Sequence, residues 1–511
     1  MFQLRSFQSW HPLHFMAQNI AVASVVLENP SMQAFQKEIN KGGYEIVAIG
    51  FTILLTKKVL EMAEWLKQNH PSIEIVLGGY GTAIFKESFE TSEKLKNLVN
   101  HICYGEGLGF MNSIISIKWN VENHNSLKQS LIPAKNSFFR THIVIFKQIV
   151  LIGGLGCVYG CSFCSTSSQF NKQYIPLFTG KQLFDSLLGQ CKKYPKIKSA
   201  IIYDEDFLSN RQQVLSFIEL YKASELQKQA FLLTIFASVS SVLNYSIQEL
   251  IECGIGTIFI GVESLSNEVL LEEGLVKRKG EIESIFRQLH ANGINTLGSL
   301  IIGWDSQTYE LAKADSERFV LMNPTFYQVV PLHIVPGTRL WEKMKQEGRI
   351  STHYKVELDG ITNFNFETKS FLHHEASKLV FSTYSKLVTE GGPWPFRLFE
   401  NLISGYSNLK DSQNPVFSNR AAICKSIVYP LCLLAFTSRI FFNGASFRKR
   451  WTRSMKQFYL SFPYLFALSI LLSPFIFIVL SGIYLFGNLF YLLNPKGDQP
   501  DFTRKEYDGG K

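Results

Sequence analysis

Short apolar runs alternate with amphipathic stretches along most of the chain, and their two periods predict its elements. AVASVVLEN (21–29) and EIVAIGFT (45–52) read as strands, and KKVLEMAEWLKQ (57–68) follows as a helix with apolar positions three and four apart. IEIVLGGYGT (73–82) is a third strand that ends in glycines, and HICYGEG (101–107) is a fourth. Buried β-runs alternating with helices predict a parallel, doubly wound α/β unit, a flavodoxin-like or Rossmann-type domain. Such folds bind ligands at the carboxyl ends of their strands. The alternation resumes at QIVLIGG (148–154) and continues through SAIIYDED (199–206), FLLTIFASV (231–239), GTIFIGVES (256–264), TLGSLIIGW (296–304) and FYQVVPL (326–332). Helical stretches such as KQLFDSLLGQCKKY and EIESIFRQLHANG separate these runs, and the repeat predicts a partial β/α barrel. Polar residues gather at the carboxyl ends of these strands, the catalytic face of a barrel.

Beyond about residue 355 the pattern weakens, and 356–420 reads as an irregular or helical extension. From 457 to 495 no side chain is charged. A single membrane span needs about 20 residues, so this run predicts one long tilted span or a helical hairpin turning near Ser473-Pro474. A buried core helix is the plain alternative. FRKRWTRSMK precedes the run, and its Arg448, Lys449, Arg450, Arg453 and Lys456 mark a cytoplasmic end and a surface for anionic lipid. IVYPLCLLAFTSRIFF (427–442) carries Arg439 and reads as interfacial. The expected organisation is therefore 1–135, the doubly wound α/β unit; 136–355, the barrel; 356–446, an extension; and 447–511, a basic patch with a membrane segment.

Composition adjusts this picture modestly. The chain has 511 residues, 46% hydrophobic and 18% charged, with 42 Phe, which is apolar for a purely soluble protein. A net charge of +9, densest beside the apolar run, gives no basic module for nucleic acid, and none is expected as a partner. No uninterrupted apolar run opens the chain, so no signal peptide is expected, and the catalytic part should face the cytoplasm. Five of the eight cysteines are scattered, and the other three lie within eight positions. That usage fits a reducing compartment rather than a disulfide framework.

Those three are Cys157, Cys161 and Cys164 in GGLGCVYGCSFCSTS, a C-x3-C-x2-C spacing directly after the first barrel strand. Thiolates suit iron–sulfur clusters, and a cubane held by three cysteines keeps one iron open to bind a substrate. The rivals are structural zinc, which wants a nearby fourth ligand, and inert core cysteines. The next cysteine is Cys191, and no histidine falls between His142 and His290.

The spacing, together with aromatic Phe163 before the last cysteine, resembles the radical S-adenosylmethionine (SAM) family. The resemblance implies a 4Fe-4S cluster whose open iron chelates the amino and carboxylate groups of SAM. One electron would then cleave the sulfonium and release a 5′-deoxyadenosyl radical that takes a hydrogen from substrate. A single-electron donor such as flavodoxin or ferredoxin would be the partner. By the same resemblance, Asp204, Glu205 and Asp206 at the end of the second barrel strand would meet the amino group of SAM, with helix capping as the structural alternative. Glu263 in GVES would be a further polar SAM contact, or else a strand-end salt bridge. Ile302 in GSLIIG would pack on adenine, or simply fill the core. Pro336-Gly337-Thr338 followed by Glu347-Gly348-Arg349 matches the barrel end of the cobalamin-linked branch, with the Thr338 turn read as structural.

The N-terminal unit resembles the cobalamin-binding domain of that branch through IVLGGYGT and YGEG, which would bring Gly78, Gly79, Gly105 and Glu106 to the corrin. Two departures stand out. The D-x-H-x-x-G sequence that supplies an axial histidine is absent, since no aspartate precedes Asp185. The domain also begins near what should be its second strand. The expected function is a radical SAM enzyme, anchored at the cytoplasmic face of the membrane, that modifies an unactivated carbon. Cobalamin-dependent methyl transfer to a lipid-like or other small-molecule substrate is its leading form. A cobalamin-independent cyclase or oxidoreductase, and a non-catalytic membrane-associated iron–sulfur protein, are the alternatives.

Overall fold

The computed structural model describes residues 4–7, 11–86, 92–121, 127–129, 132–138, 144–275, 281–351, 364–370, 372–442, 444–493 and 502–509. β1 (Leu4–Phe7) opens the chain, and β2 (Ala23–Glu28), β3 (Ile46–Gly50), β4 (Glu74–Gly78) and β5 (His101–Ile102) follow with helices between them. β3, β4 and β5 form a parallel sheet in chain order. The helix Thr56–Asn69 lays Val59, Met62, Ala63 and Leu66 on it, the 3–4 spacing visible in the sequence.

β2 does not join this sheet. Its ladder partner is β15 (Thr503–Asp508), which runs antiparallel to it from Thr503↔Glu28 to Asp508↔Ala23. Among the described residues β2 and β3 share no strand pairing. A cavity of about 570 Å³ opens between them, lined by Val25 and Leu27 from one side, Ile46 and Ala48 from the other, and Ile20 and Met62 from the flanking helices. This is where a doubly wound sheet would carry one more strand, and an apolar gap separates β2 from the β3–β5 sheet. Glu74 N donates to Glu45 O and Phe51 N to Gly78 O. Residues of a parallel strand bond alternately to its two sides, so Val47 and Ile49 face β4 while Ile46 and Ala48 face the gap.

The barrel is an open one. After β6 (Ala134–Phe138), strands β7 (Val144–Ile152), β10 (Ser199–Tyr203), β11 (Leu232–Ala237), β12 (Ile255–Glu263), β13 (Asn295–Ile302) and β14 (Phe326–Pro331) stand side by side in parallel. β8 (Gly154–Gly156) and β9 (Tyr174–Pro176) form a small antiparallel pair beside them. β1 and β6 extend the first barrel edge in antiparallel fashion, so the first strand of the chain belongs to the barrel sheet. Ile149, Leu151, Ile202, Ile235, Ile258 and Ile260 are buried beneath the covering helices. At the barrel's far end, the arginine of Glu347-Gly348-Arg349 pairs with buried Asp305, and Lys343 and Lys369 also reach it. Burial pushes the Asp305 carboxyl up, but the Arg349 contacts outweigh it and hold it at about 2.

The extension is helical where it is described: His373–Gly391, Trp394–Leu409 and Pro415–Phe441. Fully buried Arg397 fastens it to the barrel, donating to Gly392 O (2.9 Å) and Pro324 O (2.6 Å) and lying 4.7 Å over the Tyr327 ring. Residues 356–363, 371 and 443 of the 356–446 extension lie outside the described residues. The uncharged run forms one helix, Pro463–Leu493, with Pro474 inside it, and follows a separate basic helix, Ala445–Ser461. The hairpin alternative is therefore not realised. Two helical segments, Pro415–Phe441 and Pro463–Gly482, are long and apolar enough to cross a membrane by length and composition. The first is half buried in a C-terminal core of Phe396, Phe399, Val428, Phe436 and Phe458, and the second is almost wholly outside it.

Two outcomes test this architecture. Residue-resolved amide exchange should show Ile46 and Ala48 exchanging much faster than Val47 and Ile49; uniform protection along β3 would mean its free edge is paired. Asp305 is held below its ordinary value, so its stabilisation is present above about pH 4 and is lost as pH falls toward about 2. Arg349→Ala should therefore lower stability near pH 7 by about 2–3 kcal/mol, because it leaves a buried carboxylate with two outlying lysines. Chemical denaturation that shows no loss, or the same loss in an Asp305→Asn background, would contradict this coupling.

Candidate active site

The cysteine loop leaves β8 through Gly156, whose φ is +82° and whose Cβ, if present, would meet Gln173 O at 2.1 Å. Only glycine fits that conformation and approach. Cys157 and Cys161 are buried and Cys164 half-buried, and none of the eight cysteines is in a disulfide. Cys164 N donates to Cys161 O (3.2 Å), and Cys164 then caps the short helix Ser165–Gln169. From across the barrel, Leu340 N donates to Ser162 O (3.0 Å) and the Arg339 guanidinium to Gly160 O. Both donors belong to the helix Arg339–Gln346, whose N-cap Thr338 accepts from Trp341 N. The Pro336-Gly337-Thr338 turn is thus structural, and what it positions is the cysteine loop.

Among the described residues no three His, Cys, Asp or Glu side chains converge on a single ion. A cubane instead takes each thiolate at a different iron, so a set of three thiols on one tight loop suits a cluster with an open corner.

The acidic trio at the end of β10 divides. Asp204 is buried, accepts from Tyr174 OH (2.7 Å) and Asp206 N (3.2 Å), and has its carboxyl pushed up to about 6 by burial. Glu205 is exposed and accepts from Thr166 Oγ1 (2.9 Å), two residues beyond the last cysteine. Asp206 is buried; its Oδ2 accepts from Ser241 Oγ (2.8 Å), while Oδ1 has no partner among the described residues. Ser241 also lies 3.1 Å from the hydroxyl of Tyr159, inside the cysteine loop. Asp206 stands at the start of the 3-10 turn Phe207–Ser209 and makes no side-chain cap there, so the capping alternative does not account for it.

Glu263 ends β12 with φ +60°, where the ladder to β13 shifts register, and it is buried. A left-handed backbone at a non-glycine strand end is strained, and such strain gathers at functional sites. Trp304 Nε1 donates to Glu263 O (3.2 Å), and the Trp304 ring meets Phe163 edge-on with centroids 5.1 Å apart. The aromatic before the last cysteine thereby touches the loop after β13. Ile302 is wholly buried in the barrel core.

In the N-terminal unit, Gly78 ends β4 and Gly79 follows with φ +84°, where a Cβ would strike Phe51 O at 2.8 Å. Gly105 lies near the cysteine helix, its Cβ position 3.7 Å from Gln169 O. Glu106 turns the other way: both its oxygens accept from its own helix, at Leu108 N and Gly109 N (2.6 Å each). Tyr80, in the turn after Gly79, hydrogen-bonds Thr166 at 2.9 Å. The structure thus gathers the cysteine loop, Glu205, Tyr80 and Gly105 at one junction, with Asp206 joined through Tyr159 and Ser241. Glu106 faces its own helix and Ile302 the core. Tyr80, Tyr159, Thr166, Ser241 and Trp304 escaped the sequence reading. Tyr80, Tyr159, Thr166 and Trp304 lie inside quoted stretches without having been singled out, whereas nothing in the sequence marks Ser241.

No protein-family model matches the chain. It is 25% identical over 277 residues to an uncharacterized methyltransferase of Pyrococcus horikoshii, covering 53% of this chain and 58% of that protein. It is 23% identical over 225 residues to bacteriochlorophyllide d C-8(2)-methyltransferase of Chlorobaculum tepidum, covering 42% and 48%. The chain therefore spans about half the length of the curated relatives it matches. Its fold is similar to that of the radical SAM methyltransferase TsrM from Kitasatospora setae, solved with cobalamin and a [4Fe-4S] cluster bound. That match has a TM-score of 0.52 and 12% identity, and covers 77% of this chain and 90% of that one. With the cysteine loop at the mouth of an open β/α barrel behind a glycine-edged parallel sheet, the chain is similar in sequence to these methyltransferases over about half of its length and similar in fold to a cobalamin-binding radical SAM methyltransferase.

Proposed function

We propose that this protein is a cobalamin-dependent radical SAM methyltransferase acting on an apolar substrate at a membrane surface. The observation that carries the reading is the junction at Thr166, where the cysteine helix, the barrel carboxylate Glu205 and Tyr80 of the glycine-edged sheet share one hydroxyl. Cys157, Cys161 and Cys164 would hold a 4Fe-4S cluster, and Gly78, Gly79 and Gly105 would let a corrin approach beside it. When bound, the cluster supplies the electron that cleaves SAM, and cobalamin supplies methyl-transfer chemistry. Asp206 Oδ1 is a buried acceptor with no donor among the described residues, and the ammonium of SAM would satisfy it. Phe163 and Trp304 would wall the cluster side, and strained Glu263 would present a second polar group.

An apolar substrate fits the open face of the barrel. Tyr203, Phe236 and Phe259 stand side by side on β10, β11 and β12 with centroids 6.0 and 5.1 Å apart, half-buried on the sheet face opposite Ile202, Ile235 and Ile258. The relative that methylates bacteriochlorophyllide d supports a large apolar substrate. The exposed apolar helix and its basic neighbour support attachment at the cytoplasmic face of a membrane. A one-electron donor such as flavodoxin or ferredoxin completes the system.

Anaerobic purification in detergent, cluster reconstitution, and reduction with SAM should yield 5′-deoxyadenosine and a corrin absorbance. The nucleoside should vanish in Cys161→Ala. Nucleoside without bound corrin, even after added cobalamin, would select the cobalamin-independent reading; a reducible cluster that never cleaves SAM would overturn both. Asp206→Asn should raise the SAM concentration for half-maximal turnover about ten- to hundredfold at unchanged iron content, the worth of one charge-assisted hydrogen bond. An unchanged SAM dependence would remove Asp206 from the site.

A further inference from the structure

We propose that the Pro463–Leu493 helix lies in the plane of an anionic bilayer surface, on one side only, and does not cross it. The inference rests on the membrane attachment proposed above and specifies its geometry.

Both ends of the helix are tied to the same body. Ahead of it, the helix Ala445–Ser461 is docked by Arg450, which pairs with Glu400 and donates to Asn323 Oδ1 (2.8 Å) and Gly391 O (3.0 Å). Buried Phe447 packs edge-on against Phe396 at 5.0 Å, and Trp451 Nε1 donates to Ala435 O. Beyond it, β15 is laddered to β2 along its whole length. Side chains lock that ladder: Arg504 grips Glu38 through two 2.8 Å bonds, and Tyr507 OH meets His14 Nδ1 at 2.7 Å.

The lengths exclude a single crossing with this ladder intact. A 31-residue helix is about 46 Å long, more than the roughly 30 Å of a hydrocarbon core. A crossing would leave Leu493 on the far side. The nine residues 494–502 that lead back to β15 span about 30 Å at full stretch. They include Lys496, Asp498 and Asp501, and an extended charged segment cannot stand in hydrocarbon.

The helix has two different faces. Ser469 Oγ meets Cys432 Sγ at 3.2 Å and Phe477 packs on Phe441 at 5.1 Å, so one face covers the C-terminal core. Tyr464, Leu471, Phe475, Ile478, Leu485 and Leu489, spaced three, four or seven apart, are 55–90% exposed. A stripe this long, apolar and continuous is a partner-binding surface rather than a soluble exterior. Its charge context selects lipid: Arg448, Lys449, Arg453 and Lys456 are exposed on the preceding helix, and Tyr459 and Leu460 carry the surface from basic to apolar. That order suits an acyl boundary under anionic headgroups.

The test uses the full chain, tagged at both termini, with sealed inside-out membrane vesicles and with protein-free phosphatidylglycerol–phosphatidylcholine vesicles. The protein should float with both vesicle types, and protease added outside should remove both tags without detergent. Lys449→Glu, Arg453→Glu and Lys456→Glu together should weaken binding to the anionic vesicles roughly a hundredfold while leaving the thermal transition unchanged. A C-terminal tag protected until detergent is added would mean a crossing and overturn this geometry while membrane attachment survives. Failure to float with either vesicle would overturn attachment itself. Flotation with native membranes alone would assign the stripe to a membrane protein and overturn the lipid proposal.

Discussion

Thr166 Oγ1 stands 2.9 Å from both Tyr80 OH and Glu205 Oε1, donating to the carboxylate and accepting from the phenol. Three parts of the molecule meet in that hydroxyl: the turn after the N-terminal sheet, the helix behind the last cysteine, and the end of the second barrel strand. Burial pushes the Tyr80 phenol well above its ordinary range, so it remains a donor at any physiological pH. A second tie comes from the opposite side, where Arg339 and Leu340 fasten Gly160 and Ser162 to the last barrel helix. A loop rich in glycine has much conformational freedom to lose, and these contacts fix it. The cofactor geometry proposed for the protein is therefore a property of the junction between two folding units, and of neither alone.

Much of this was legible from the sequence because the responsible signals are local. Period-2 and period-3.6 patterns placed all five later barrel strands within a few residues of where they lie, and the spacing of Cys157, Cys161 and Cys164 named the loop. What could not be read is what depends on contacts across hundreds of residues. β1 joins the barrel edge through β6, and β15 returns from the far end of the chain to pair with β2. Neither TRKEYD nor LRSF announces its partner. Glu106 and Asp206 illustrate the same limit within the site. Both are acidic residues just past strand ends, yet one is spent on capping its own helix and the other holds a buried oxygen with no donor among the described residues.

The two places where the chain departs from a regular layered fold are related. The gap between β2 and β3 leaves β2 held chiefly by β15, and β15 in turn holds the end of the apolar helix. Arg504 on Glu38 and Tyr507 on His14 compensate for the ladder that β2 lacks on its inner side. His11, one turn before His14, is buried against Tyr203 of the barrel, and burial lowers its imidazole to about 4, so it stays neutral there. The N-terminal sheet, the long apolar helix and the barrel mouth are thereby mechanically connected through β2.

The central claim is that three cysteines leave one iron of a cubane open to SAM. Electron paramagnetic resonance of the one-electron-reduced, reconstituted protein, recorded with and without SAM, tests it most directly. Direct chelation at the open iron predicts that SAM changes the g-values of the reduced cluster, and that 5′-methylthioadenosine, which lacks the amino and carboxylate groups, does not. A cluster signal that is indifferent to saturating SAM would mean the fourth corner is closed, and would contradict the account.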